Sequence, residues 1–220
     1  GGWPMTRAVP GTIAARGLVL EGVSAAIRGR RLFELSLAVP PGTVTTVMGP
    51  SGSGKSTLLA LLGGLLDPVF TAGGRVLLDG VDLGGLPAHE RRLGLMFQDD
   101  LLFPHMTVAG NLAFGLPPGT EDRGAAVAAA LAEVGLEGFE NRDPASLSGG
   151  QRSRVALMRT LLARPRALLL DEPFSRLDRD LRGQVRALIF DLARARGLPV
   201  LLVTHDAEDA EAANGPILLL

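Results

Sequence analysis

The chain has 220 residues, 46% hydrophobic and 20% charged, which suits one large α/β domain or two small ones around a sizeable core. A formal net charge of −1 and scattered basic residues give no general attraction to polynucleotides or anionic lipid, so nucleic acid is not expected as a ligand. The absence of cysteine excludes disulfides and thiolate metal sites and fits a reducing compartment.

Taken in chain order, Gly1–Gly17 mixes Arg7 and Arg16 with Pro4 and Pro10 and lacks the apolar segment of a secretory signal. Two readings stand for residues 1–17: a flexible arm, or in part extraneous residues ahead of a natural start at Met5. Leu18–Val23 and Phe33–Val39 are short apolar runs bounded by Gly and Pro, which read as antiparallel strands. Pro40-Pro41-Gly42 marks a turn. Thr43–Met48 reads as a β-branched strand and Thr57–Leu66 as a helix. The stretch Leu58–Leu66 is the longest apolar one, yet it carries two glycines and falls far short of the roughly 20 residues a membrane span needs. With a mean hydropathy of +0.27, the expectation is a soluble, cytoplasmic protein with an apolar docking surface.

Gly73-Gly74 precedes a further strand, Arg75–Asp79, with Asp79-Gly80 as its hairpin turn. Thr120 then suits an N-cap, Glu121 and Asp122 a first helical turn, and Val127, Leu131 and Val134 one helical face ending at Gly135. Helices are expected over Gln151–Ala163 and Asp180–Arg196, the latter with a stripe of Leu181, Val185, Leu188 and Leu192. Strands are expected over Ala167–Leu170 and Val200–Thr204. Strands alternating with helices, with antiparallel strands first and a helical stretch in the middle, indicate an α/β fold. The parallel sheet would form one domain over 1–220, with a helical subdomain inserted at about 100–155.

Gly49-Pro50-Ser51-Gly52-Ser53-Gly54-Lys55-Ser56 satisfies G-x-x-x-x-G-K-[ST] between an expected strand and an expected helix, with Thr57 following. Small residues let successive N–H groups wrap a phosphate, and the helix dipole adds positive potential. Lys55 can then neutralise β- and γ-phosphates while Ser56 ligates Mg²⁺. This points to a nucleoside triphosphate and leaves kinase, GTPase and ATPase open. Ala167–Pro173 is an apolar strand ending in two acids. Alternation would send Asp171 and Glu172 to separate tasks: Asp171 toward Mg²⁺ through water, Glu172 toward the water that attacks the γ-phosphate. A GTPase would more usually offer an Asn-Lys-x-Asp segment, which this chain lacks.

Leu147-Ser148-Gly149-Gly150-Gln151 opens a helix and makes a second phosphate-facing cradle. One triphosphate does not easily fill two such nests in one domain. A head-to-tail pair solves this, each copy closing its cradle on the γ-phosphate held by the other. Ser148 also reads as a plain N-cap, which does not compete with the cradle.

From about Leu18 to His205 the sequence resembles the nucleotide-binding domains of ABC transporters, with the motifs in family order. GPSGSGKST matches the Walker A loop, LLLDEP at Leu168–Pro173 the Walker B strand, and LSGGQ the family signature. The resemblance implies ATP and Mg²⁺ as ligands and adds three features. Gln98 looks like the Q-loop glutamine that touches Mg²⁺ and the attacking water; Ser175-Arg176-Leu177-Asp178 looks like the D-loop of the dimer interface; and His205 looks like the switch histidine on the γ-phosphate. Two departures stand out. No aromatic occupies Ala25-Ala26-Ile27-Arg28, where the family stacks adenine, and Arg176 replaces a usually small residue.

The stretch FQDDLLFPHMTVAGNLAFGL is similar to that of bacterial importer subunits for thiamine, polyamines and inorganic anions. A long loop at Asp67–Gly74 and a short C-terminus lean toward the thiamine type, without an accessory regulatory domain. The implied partners are transmembrane permease subunits, a second ATPase subunit (the same chain or a homologue) and a solute-binding protein reached through the permease. The implied place is the cytoplasmic face of the inner membrane. A soluble ABC ATPase uncoupled from transport is the alternative.

Overall fold

The computed structural model describes residues 16–220; whatever Met5 and the rest of residues 1–15 contribute lies outside it. Two sheets organise the chain. The first is antiparallel, in the order β2-β1-β4-β5, from β1 (Leu18–Ile27), β2 (Arg30–Val39), β4 (Phe70–Leu78) and β5 (Val81–Asp82). The second is parallel, in the order β6-β7-β8-β3-β9, from β3 (Val44–Met48), β6 (Leu93–Met96), β7 (Ala167–Asp171), β8 (Val200–Thr204) and β9 (Ile217–Leu219). The α/β architecture expected from the sequence is therefore present.

The parallel strands read as continuous apolar runs because both faces are covered. Along β7, Leu168 and Leu170 enter one core while Ala167 and Leu169 enter another. In β8 the same alternation sends Val200 and Leu202 one way, Leu201 and Val203 the other. One core lies between the two sheets and takes Leu58, Leu59 and Leu62 of α1 (Lys55–Gly63) together with Phe33, Leu35 and Leu37 of β2. The opposite core packs α2 (Val108–Gly115), α3 (Arg123–Glu133), α4 (Gly149–Leu162) and α5 (Arg179–Ala195). A last helix, α6 (Ala207–Ala213), follows β8.

Several expected boundaries move. The first two strands run longer, and β4 begins at Phe70, so the expected loop Asp67–Gly74 is largely strand. Gly73 and Gly74 do not break it, because they sit beside a register shift between Glu21 and Ser24. There Gly74, at φ 86, brings its backbone close against Gly22. The Asp79-Gly80 turn is present, joining Leu78 to Val81.

Asp122, rather than Thr120, caps α3, accepting from the Ala125 N–H at 2.8 Å. Thr120 instead donates its hydroxyl to the Pro117 carbonyl. Val127, Leu131 and Val134 are buried as the spacing requires. In α5 the buried face is centred on Val185, Ile189, Phe190 and Ala193. Leu181, Leu188 and Leu192 only flank it, because the helix is wedged between α4 and α6 and buries a rotated stripe.

Two buried polar side chains hold the frame. Asn111 receives the Phe103 N–H at 2.7 Å and donates to the Phe103 and Thr107 carbonyls, fixing the loop ahead of α2. Arg91 donates to Leu86, Leu61 and Leu62 carbonyls, which closes the C-terminal turn of α1. Burial lowers the Arg91 pKa, the mark of a desolvated cation. Replacing Arg91 with Met removes a donor from three carbonyls, of which Leu61 keeps the Gly64 N–H. The expected loss is about 2–4 kcal/mol, read from the urea unfolding midpoint.

Candidate functional site

The sheet places its chemistry at one edge. The carboxyl ends of β3, β6, β7 and β8 lie side by side, and ligands of open α/β sheets bind outside such ends. The phosphate-loop sequence follows β3 directly and runs into α1. At the start of α1, Gly54 has φ 99 and no side-chain cap, so the first-turn N–H groups keep their positive potential for an anion. A Cβ at Gly54 would lie 2.9 Å from the Phe33 ring, so this position excludes a side chain. Lys55 is buried and donates to the Gly49 and Pro50 carbonyls at 2.8 and 2.9 Å, which folds its ammonium back across the loop. The Ser53 hydroxyl is buried without a partner among the described residues, an orphaned polar group facing the same loop.

The two acids part at the end of β7. Asp171 remains in the strand, half-buried, and its pKa is raised chiefly by burial. The Ser56 hydroxyl opposes that shift, the Glu172 charge adds to it, and Lys55 opposes it. Glu172 leaves the strand with φ 46, so the separation comes from a left-handed turn as well as from pleating. Its N–H donates to the Val203 carbonyl at 2.9 Å. Its own carbonyl accepts from the Ser175 N–H and hydroxyl. This pinned backbone aims the carboxylate at His205, whose Nδ1 lies 2.9 Å from Glu172 Oε1. A short loop after β8 carries His205, held by the Asp206 N–H donating to Thr204 and by the Arg182–Asp206 ion pair from α5.

Lys55, Ser56, Asp171, Glu172 and His205 are thus brought together. Gln98 stands one residue past Phe97 at the end of β6, next to β7, and is exposed without a hydrogen bond to those residues. Ser148–Gln151 form a capping box at the start of α4: Ser148 Oγ accepts from the Gln151 N–H, and Gln151 Oε1 accepts from the Ser148 N–H. No hydrogen bond joins that box to the phosphate loop among the described residues. Gly150 is buried against Leu181, which leaves Ser148 and Gly149 as the outward part of the cradle.

The family described as ABC transporter matches residues 32–175, from beside the phosphate loop to Ser175. The chain belongs to the ABC transporter family. An uncharacterized ABC transporter ATP-binding protein, YnjD, of Escherichia coli K12 is 48% identical over 185 residues, covering 83% of this chain and 85% of that protein. The Fe(3+) ions import ATP-binding protein FbpC 1 of Rhizobium meliloti is 43% identical over 220 residues, covering 98% of this chain and 60% of its own length. The chain therefore spans less than two thirds of that iron protein. The thiamine import ATP-binding protein ThiQ of Jannaschia is 45% identical over 194 residues, covering 86% and 83% respectively.

As an ABC ATPase, the chain departs from its family at two points that the structure illuminates. Ile27 has Phe70 as its cross-strand neighbour in β4, so a half-buried aromatic does adjoin the stretch where the family places its adenine stack. The two residues lie far apart in sequence, and no local pattern could have linked them. Arg176 pairs with Asp99, an acid that carried no assigned role from sequence.

Metal chemistry fits the donors present. Among the described residues no three His, Cys, Asp or Glu side chains converge on a metal-sized site. Ser56 and Asp171 together suit Mg²⁺, an ion bound through few protein oxygens plus phosphate and water.

Because burial raises the Asp171 pKa, the folded state binds that proton more tightly than the unfolded chain. The group's contribution to stability is greatest at acid pH and is lost as pH rises through the folded value. Asp171→Asn is expected to raise the melting temperature of nucleotide-free protein at neutral pH. It should abolish the further rise produced by MgATP but not that produced by ATP with EDTA, both read by scanning calorimetry.

Proposed function

We propose that the chain is the ATP-hydrolysing subunit of a bacterial importer, working head-to-tail with a second copy or a homologous ATPase around two ATP molecules. The Glu172–His205 contact at the same sheet edge as Lys55, Ser56 and Asp171 carries this reading. It supplies an oriented acid–imidazole pair beside a phosphate cradle.

Amides of Ser51–Ser56 and the Lys55 ammonium bind the β- and γ-phosphates, with Gly49, Pro50 and Thr57 completing the loop. Ser56 and Asp171, with Gln98 brought in from the loop after β6, would hold Mg²⁺, which when bound would neutralise charge on the phosphate oxygens. Glu172 orients the attacking water and takes its proton. His205, steadied by Glu172, donates toward the γ-phosphate, while Gln98 approaches from the end of β6. Ser148, Gly149, Gly150 and Gln151 close on the γ-phosphate held by the partner subunit. The dipole of α4 supports this, since the Gly149 and Gly150 amides have no partner among the described residues.

Coupling to a membrane permease rests on a cleft of about 470 Å³ beside the C-terminal end of α4, lined by His89, Arg92, Phe103, Phe114 and Arg159. Phe114 is 65% exposed and meets Phe103 edge-on at 4.8 Å. An exposed Phe114 backed by a half-buried Phe103 and rimmed by cations suits an amphipathic permease segment bearing an acid. Residues of about 100–155 form the helical subdomain that this segment would move within the single domain. No helix of the described residues is long and apolar enough to cross a membrane. In this reading the chain attaches peripherally at the cytoplasmic face through the permease, which alone engages a solute-binding protein. Relatives named for iron and thiamine import favour import of a small solute.

Glu172→Gln is expected to lower ATP turnover by about 10²–10³-fold and to trap an ATP-dependent dimer in light scattering. Unchanged turnover sinks the catalytic assignment. Phe114→Glu should abolish co-purification with the membrane subunit while shifting the melting temperature by less than about 2 °C. If the parent chain captures no membrane subunit, the uncoupled ATPase takes this reading's place.

A further inference from the structure

We infer that Asp99 and Arg176 are positioning residues for hydrolysis, an ion pair that fastens the loop carrying Gln98 to the turn carrying Glu172. The inference rests on the ATPase reading above and adds to it two residues without a role there.

The path is short. Ser175 is bound to the Glu172 carbonyl through both its N–H, at 3.2 Å, and its hydroxyl, at 2.9 Å. Arg176 comes next in the chain, and its guanidinium meets the Asp99 carboxylate. Asp99 in turn follows Gln98 directly. A rigid turn on one side and a single peptide unit on the other therefore separate the ion pair from the two groups that must converge on one water.

The other side of the same loop is anchored separately. Asp100 accepts from the Ser153 hydroxyl at 2.8 Å and has Arg152 Nε at 3.6 Å, both in the first turns of α4. Arg159, further along α4, donates to the Leu101 carbonyl at 2.9 Å and to the Asp100 carbonyl at 3.3 Å. The loop is thus held to the helix that Ser148 caps by several partly buried contacts. Among its described side-chain contacts, the Arg176 pair is the link to the Glu172 turn.

Arg176 and Asp99 side chains are 62% and 52% exposed, and a pair so solvated adds little to folding. Its value lies in geometry, because phosphoryl transfer depends on how closely the orienting groups are aligned. A merely solvated surface pair would affect neither stability nor turnover. A positioning pair spares stability and alters turnover.

The test measures ATP hydrolysis by the purified chain carrying Asp99→Ala, Arg176→Ala, both together, and the exchange Asp99→Arg with Arg176→Asp. Each single change should lower kcat about three- to fivefold, with KM for MgATP within about twofold. The double alanine variant should be no worse than either single, and the exchange should recover about half of the loss or more. Amide hydrogen exchange over residues 97–101, which needs no turnover, should speed up in both singles and slow again in the exchange variant. Losses that multiply in the double variant, an unchanged kcat, an effect confined to KM, or unaltered hydrogen exchange would each overturn the inference. Glu172→Gln decides the underlying ATPase reading on its own, so the two failures are distinguishable.

Discussion

The central constraint is a parallel sheet covered on both faces. Strands β3, β7 and β8 are almost wholly buried, and apart from Thr45, Thr46 and Thr204 their buried side chains pack into two apolar cores. Charged groups can emerge only where the strands stop. Parallel pairing makes those stops coincide at one edge. The phosphate loop, Asp171, Glu172 and His205 meet there because no other part of these strands can carry them. The crowding has a cost in desolvation, visible in the raised pKa of Asp171, and Ser56 and Lys55 partly offset it.

Backbone geometry refines what the sheet edge offers. Gly54 opens α1 in a conformation that leaves its first amides uncapped, and Glu172 turns out of β7 at positive φ. Each is a strained or unsatisfied feature that ordinary packing would remove, held in place by neighbours on both sides. The α4 start is different in kind. Its capping box satisfies the local chain, while the Gly149 and Gly150 amides find no partner among the described residues.

The loop from Phe97 to Thr107 connects these regions. Asn111 fixes its far end, Arg159 and Ser153 tie its middle to α4, and Arg176 ties its beginning to the Glu172 turn. The same Arg159 lies over the Phe103 ring, which lines the exposed cleft. Arg159 thus touches both the aromatic cleft and the loop that carries Gln98.

The sequence by itself determined the type of each strand and helix it marked and the places of the glycine-rich loop and the acid pair, but it marked no element at β6, α2, α6 or β9. Each feature it marked depends on residues adjacent in the chain: a fixed glycine spacing, a period of two or of 3.6, a turn dipeptide. It placed Val127, Leu131 and Val134 correctly on a buried face. Its misjudgements were also local ones: Gly73-Gly74 reads as a loop ahead of a strand that in fact begins at Phe70 and bulges against Gly22, and Thr120 reads as the cap that Asp122 provides. Only the tertiary structure decided which stripe of α5 is buried, because α4 and α6 choose it together. It alone set Phe70 beside Ile27, His205 against Glu172 and Asp99 against Arg176. Those contacts join residues remote in sequence, and their distances follow from how two sheets and a layer of helices close over shared cores, which no window of the chain contains.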